Sequence, residues 1–398
     1  MLAPEQVLIL NENEHIEAIV PAAEAGAGVE PLEGILCPGM VNAHCHIELS
    51  HMKGMIPEGT GLVEFVKQVI SKRDAPQSLV ISPAVYLEMY EQLLDQKLRA
   101  MAGAVEELYQ TGTVAVGDIC NTADSLELKR HSSLYWHNFI EVSGFVDAVA
   151  AKRLKFSEEI LAAFVKSQPN ASAAGNTLTP HAPYSVSKTL FNLLNDNTAG
   201  QLISIHNQET GAEDSLYQSK QGGFLDLYET LGIHIEGFAA TSKSSLQSWL
   251  PYFNQGQKII AVHNTFTSEA DVRFAAQMSK ATAGKGLPYY CICVNANLYI
   301  ENKLPPLEML VSNNCRIVLG TDSYASNRQL NLMEEIKTLQ KNFPAVPLAT
   351  MLQWATISGA EALGIDDQYG SFEKGKKPGL VLIDPNNMKS KRVALHAS

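Results

Sequence analysis

The chain has 398 residues, 45% hydrophobic and 18% charged, with 30 Lys and Arg against 42 Asp and Glu for a formal charge of −12. That composition supports a large buried core and excludes a disordered chain; one large domain, or one plus a small one, is the expectation. The acidic balance, with no basic run able to neutralise successive phosphates, argues against a nucleic-acid polymer or an anionic membrane as partner.

The N-terminal MLAPEQVLILNENEHIEAIV has no basic region before its short apolar stretch, and no apolar run is long enough to span a bilayer. A cytoplasmic location is therefore expected. Strand-like runs EQVLIL and HIEAIV open the chain, and GLVLID falls near its end. They predict a small β-sandwich-like domain composed of both termini, residues 1–37 and 365–398, beside a catalytic domain over 38–364. Six cysteines, at 37, 45, 120, 291, 293 and 315, are too scattered for a disulfide framework and read as reduced, buried thiols.

From residue 39 onward one pattern recurs: a short apolar or β-branched run ends abruptly in residues able to do chemistry. GMVNAHCHIE is followed by GTVAVGDIC, LYWHNFIEVSGF, NTLTPHAPYS, LISIHNQET, KIIAVHNTF, LPYYCICVNANLYI and CRIVLGTDSYASN. Between them lie segments of helical periodicity, such as AVYLEMYEQLLDQKLRAMAGAVEELYQTG, SKTLFNLLNDNTAG and DVRFAAQMSKA, several closed by glycine. Eight strands alternating with helices predict an α/β fold, a TIM-type (β/α)8 barrel, whose active site sits at the C-terminal strand ends.

Side chains at i and i+2 of a strand point to one side, so His44 and His46 converge while Cys45 faces away. Two convergent imidazoles at a barrel mouth suit a divalent transition metal, zinc by preference with iron(II) as the other choice. An H-x-H occurs by chance in many proteins. Here, however, His206, His263 and Asp322 end the fifth, sixth and eighth runs, and in a barrel those ends face one cavity. Glu209 follows His206 by three positions, close enough to serve a metal-bound water without being a ligand. Zinc lowers the pKa of such a water from ~15.7 to ~7, and a carboxylate beside it can carry the proton to substrate for roughly 10²–10⁴ in rate.

PGMVNAHCH, HAPYSVS, HNQET, VHN and GTDS, in this order, resemble the amidohydrolase superfamily in its deaminase and chlorohydrolase branch. The resemblance spans about Gly34 to Asp384. It implies one metal held by His44, His46, His206 and Asp322, with Glu209 as proton shuttle. His263 would orient the hydroxide and the tetrahedral intermediate, and His181 would touch substrate. The fourth run ends without lysine, so no bridging carbamate of a two-metal site is expected. HCHIELS and NLYIENKLPP are most similar to aminofutalosine deaminases and related deaminases of aminated purine nucleosides.

Further positions carry two readings each. Glu48 is either a loop carboxylate or a contact to amino or hydroxyl groups of the substrate, and Asn297, on the rim after the seventh run, is a second substrate candidate. Arg328 reads as a surface cation, and Asp118 as a strand-end carboxylate that is either structural or functional. His15, His51, His131, His137, His234 and His396 lack convergent partners and read as surface or satisfied core histidines. Cys291 and Cys293 read as small buried residues. His46-Ile47-Glu48 matches the H-x-E of cytidine-type deaminases, but no P-C-x-x-C follows.

The resemblance therefore implies a zinc-dependent hydrolytic deaminase of an aminated heterocycle, an adenine-type nucleoside such as aminofutalosine. Catalysis would rest on Glu209, His263 and Asp322. The same site could serve a ring chloride or a cyclic amide instead. A non-catalytic scaffold would be marked by lost ligands, and none is lost. The expected partner is a small molecule, with a homodimer as the assembly to test. The long connection LSHMKGMIPEGTGLVEFVKQVISKR after the first run is placed to form a pocket for a substituent larger than the ring.

Overall fold

A computed structural model describes residues 2–3, 5–26, 28–74, 83–167, 175–281 and 286–393. The chain opens with a hairpin, β1 (Gln6–Leu10) and β2 (Ile16–Pro21), followed by β3 (Ile35–Pro38) and β4 (Met40–Cys45). Helices α1 (Leu62–Lys72) and α2 (Pro83–Gln110) lead to β5 (Thr113–Cys120), α3 (Leu126–Arg130), β6 (Tyr135–Val142) and α4 (Ala150–Ser167). Next come β7 (Asn176–Pro180), α5 (Lys188–Asn197), β8 (Leu202–Asn207), α6 (Gly211–Ser219), α7 (Phe224–Thr230) and α8 (Ser245–Trp249). The rest runs β9 (Lys258–His263), α9 (Glu269–Ala281), β10 (Tyr289–Ile292), α10 (Val294–Glu301), α11 (Leu307–Ser312) and β11 (Arg316–Leu319). Helices α12 (Leu332–Asn342), α13 (Leu348–Trp354) and α14 (Ile357–Leu363) precede β12 (Leu380–Ile383) and β13 (Ser390–Arg392).

All eight strand-like runs form strands, and they pair in parallel in two sets of four, β4 to β7 and β8 to β11. The sets meet at two seams. At one, the His206 amide donates to the His181 carbonyl at 2.9 Å, and the Ser204 amide to the Thr179 hydroxyl at 2.7 Å. At the other, the amides of Thr321 and Asp322 both donate to the His44 carbonyl at 3.1 Å, and Cys45 bridges to Asp322.

Period-2 alternation sorts the side chains. Tyr290 and Ile292 of β10, with Ile317 and Leu319 of β11, pack on Leu307, Leu332, Ile336 and Met351 of the covering helices. The intervening Cys291 and Val318 join Val41, Ala115, Phe139 and Ile260 in a cluster fed from both sets of strands. A cluster shared in this way requires the strands to surround it, which is the (β/α)8 arrangement.

The termini add two small antiparallel sheets, the β1–β2 hairpin and the order β13-β12-β3. Pairing of β3 with β12 brings both ends of the chain together, and Ile16 of the hairpin exchanges backbone hydrogen bonds with Gly375 and Lys376 at 2.8 and 2.9 Å. The six cysteines are free thiols, buried except for the half-buried Cys315. His396 lies outside the described residues. Among the described residues, no helix is long and apolar enough to cross a membrane.

One glycine determines how closely β11 approaches β4. A Cβ on Gly320 would stand 2.9 Å from the Cys291 and Cys293 sulfurs and from the His44 Cβ. Buried sulfurs on rigid strands cannot retreat as a surface side chain would. Gly320→Ala is expected to cost about 1–3 kcal/mol by overpacking, read as a lower midpoint in thermal or denaturant unfolding. A variant as stable as the parent would show that the strands do not meet this tightly.

Candidate active site

The ends of β4, β8, β9 and β11 bring His44, His46, His206, His263 and Asp322 together. His46 Nε2 stands 3.1 Å from both His44 Nε2 and His206 Nε2. Asp322 Oδ1 lies 3.4 Å from His46 Nε2 and 3.6 Å from His44 Nε2. All five residues are buried, His44 completely. His263 shares a group with His44 and His206 whose ring nitrogens lie within 4.8 Å of one another.

Two of these five residues have left-handed backbone, His263 at φ 74° and Asp322 at φ 57°. Side chains adopt that region rarely, and its cost is accepted where the surroundings impose it. At Asp322 the fixing contact is the Ser326 hydroxyl, which donates to Oδ2 and leaves Oδ1 toward the imidazoles.

A hydrogen bond settles which ring nitrogen of His206 holds a lone pair. His206 Nδ1 lies 2.8 Å from the His181 carbonyl and must donate to it, so Nε2 is unprotonated. Burial, followed by the neighbouring histidines, holds His46 and His206 well below the usual imidazole range. Burial alone would raise Asp322, but the hydrogen bond with His44 and the adjacent rings keep it well below the ordinary carboxylate range. Neutral imidazoles and an ionised carboxylate are the ligand forms. Donors bound to one ion at about 2.0–2.2 Å must lie roughly 3–3.6 Å apart, as His46 does from His44, His206 and Asp322, and His44 from Asp322. The residues fit a divalent metal.

Glu209 lies in the turn between β8 and α6 and is buried. Its Oε1 is 3.5 Å from His263 Nε2. Burial, and then the charge of Asp322, pushes its carboxyl well above the usual range. The preceding Gln208, at φ 45°, donates its amide to Glu213 Oε1 at 2.9 Å, which secures the turn. Burial raises Glu213 in turn to about 8.

Asn297, expected on the rim as a substrate contact, is instead fully buried in α10. Its Oδ1 accepts from His263 Nδ1 at 3.0 Å, and its Nδ2 donates to the His263 carbonyl at 3.1 Å. The amide thus fixes the tautomer of His263, leaving the Nε2 lone pair toward Glu209. A strand-end location was legible; α10 starts so soon after β10 that Asn297 points back onto β9.

Glu48 does not reach the cavity either. Its two oxygens accept from the amides of Asn121 and Thr122 at 2.9 and 3.2 Å, tying the exit of β5 to the turn after His46. Asp118 is structural: Oδ1 accepts the Ile47 amide at 2.9 Å and Oδ2 pairs with Lys129 Nζ at 2.5 Å, all of it fully buried. Arg328 is an exposed partner of Glu58 at 2.7 Å. His137 is a core histidine that burial pushes down to about 3; His15, His51, His131 and His234 stand away from the group.

A cavity of about 390 Å³ opens over these residues, lined by His46, His181, His206, Glu209, His263 and Asp322. That size is typical of a small-molecule site. His181 Nδ1 is engaged by the Ser185 hydroxyl at 2.6 Å, which leaves Nε2 free for a ligand. One wall comes from the connection after β4, through Leu62, Phe65, Val66, Val69 and Ile70 of α1. Glu141, at the end of β6, also lines the cavity and was not singled out in the sequence, although its place at the end of LYWHNFIEVSGF follows the same rule as the histidines.

Comparison with known proteins agrees with this fold. A 5′-deoxyadenosine deaminase of Methanobrevibacter smithii is 28% identical over 371 residues, covering 89% of this chain and 73% of the relative. The crystal structure of Helicobacter pylori aminofutalosine deaminase with methylthio-coformycin superimposes with a TM-score of 0.73 at 21% identity, over 96% of this chain and 87% of the other. An adenosine deaminase of Xanthomonas campestris with bound zinc gives a TM-score of 0.67 at 22% identity, over 96% and 81% of the two chains. The amidohydrolase family model matches residues 35–396, nearly the whole length, and the chain belongs to the amidohydrolase family.

Proposed function

We propose that this chain is a hydrolase that removes the amino group of an adenine-type nucleoside as ammonia, using one divalent ion, zinc in the first instance, held by His44, His46, His206 and Asp322. The observation that carries this reading is the meeting, in one cavity, of three closely spaced imidazole and carboxylate groups with the buried carboxyl of Glu209, 3.5 Å from His263. The deaminases of adenine nucleosides among the relatives support the substrate class.

When bound, the ion supplies a Lewis acid that acidifies water. Glu209 takes the proton of the attacking water and delivers it to the ring nitrogen beside the amino-bearing carbon. It then takes the remaining proton of the added hydroxyl and gives it to the amino group, so that the C–N bond breaks, ammonia leaves and the oxygen stays on the ring as a carbonyl. His263, fixed by Asn297, holds the attacking oxygen in line through its Nε2. His181 offers Nε2 to the nucleoside, and the apolar side chains of α1 keep bulk water from the reacting centre.

Ammonia release and loss of adenine absorbance are expected with 5′-deoxyadenosine, 5′-methylthioadenosine, adenosine or aminofutalosine. If none is deaminated while a chlorinated ring or a cyclic amide is turned over, the deaminase reading is wrong.

The ligand set predicts that His46→Ala retains well below one equivalent of zinc and loses activity with it. Full zinc content in the purified variant would remove His46 from the set.

Glu209→Gln should keep the metal yet lose at least ~10² in turnover, because an amide cannot accept and return a proton. Near-normal turnover would take Glu209 out of the chemistry.

A further inference from the structure

Glu141 presents a carboxylate to the catalytic cavity that the chemistry above does not use. Its Oε2 is buried and has no hydrogen-bond partner, and among the described residues no cation pairs with it. Ser157 donates at 2.9 Å to the main-chain carbonyl of Glu141, not to the carboxylate. A buried acceptor without a donor costs free energy that a ligand would recover. Glu141 also stands close to the reacting centre, with ligand-capable atoms of Glu141, His181 and His206 within 4.8 Å of one another.

Two kinds of occupant could satisfy it, a second cation or a hydrogen-bond donor on the substrate. The cation is the poorer fit. His206 commits Nδ1 to the His181 carbonyl and turns Nε2 toward His46. That leaves only Glu141 and His181, short of the three protein ligands of an ordinary catalytic zinc site.

The chemistry of the nucleoside narrows the donor. Apart from its amino group, which must lie at the reacting carbon beside Glu209, the adenine ring offers only acceptors, N1, N3 and N7. A carboxylate therefore has nothing else to read on the ring. The remaining donors are the hydroxyls of the ribose, a vicinal pair that two carboxylate oxygens can receive.

We propose that Glu141 is a specificity-determining residue whose carboxylate accepts hydrogen bonds from the ribose hydroxyls of the substrate, an inference that rests on the nucleoside deaminase reading. It makes the substrate class a ribonucleoside, in preference to a deoxyribonucleoside or a free base.

The test compares kcat/KM for adenosine, 5′-deoxyadenosine and 5′-methylthioadenosine with their 2′-deoxy and 3′-deoxy counterparts, in the zinc-loaded protein. A charged hydrogen bond lost to the substrate corresponds to a preference of roughly ten- to a hundredfold for the ribo compound. In Glu141→Ala that preference should fall to near one with zinc content unchanged, and Glu141→Gln should fall between. The wild-type comparison needs no variant and stands even if a variant misfolds. Equal ammonia release from ribo and deoxy compounds overturns the inference and leaves the deaminase reading in place. An unchanged preference in Glu141→Ala, or a second equivalent of zinc lost in Glu141→Gln, also overturns it. No ammonia from any nucleoside overturns the deaminase reading and this inference with it.

Discussion

His46 Nε2 stands 3.1 Å from His44 Nε2 and from His206 Nε2 and 3.4 Å from the Asp322 carboxylate, all of them buried side chains. Left alone, such groups repel by their lone pairs and lose their hydration; a shared cation turns the same arrangement into bonding. The rest of the barrel mouth is built to hold them there. His44 and His206 sit at the two seams where the sets of strands join, and the main chain at each seam is hydrogen-bonded across it. The donor set therefore cannot spread without opening the barrel.

Around that set, the supporting groups act on main chain more than on side chains. Asp118, neutralised by Lys129, grips the amide immediately after His46, and Glu48 ties the same turn to the exit of β5. A buried ion pair adds little net stability, because its desolvation offsets its attraction. Removing one partner would leave a buried charge, so the pair is better understood as a constraint on geometry. Asn297 does for the His263 ring what Asp118 does for the His46 turn. Gly320 permits the close approach that all of this needs.

The fold was legible because each barrel strand ends in a chemically distinct residue and each is followed by helical periodicity, so the register of eight repeats survives in one sequence. The meeting of His44, His46, His206, His263 and Asp322 was legible for the same reason, since strand ends converge whatever their separation along the chain. Direction after a strand end was not legible. Glu48 and Asn297 both follow strands, but each turns toward a neighbouring strand, because the short helical turns they occupy reverse the chain within a few residues. Glu141 escaped notice for the opposite reason. It ends its strand as the histidines do, but a lone carboxylate carries no spacing signature.

The cavity has a polarity that orders the substrate within it. His46, His206, Asp322, Glu209 and His263 line the cavity with polar groups, while Phe65, Val66 and Val69 of α1 contribute an apolar wall. A planar ring carrying an amino group satisfies the first, and a substituent with apolar surface satisfies the second. Arg73 and Arg153 also line this cavity, but Arg73 faces Asp74 at 3.2 Å. Glu209 and His263 are buried, whereas Arg153 is exposed, so of these cavity groups Arg153 keeps its contact with solvent. Deamination itself needs a reacting centre kept from bulk water, where a proton in transfer does not leak to solvent. Recognition of the rest of the molecule would then fall to the other groups that line the cavity, the apolar side chains of α1 and the carboxylate of Glu141 among them.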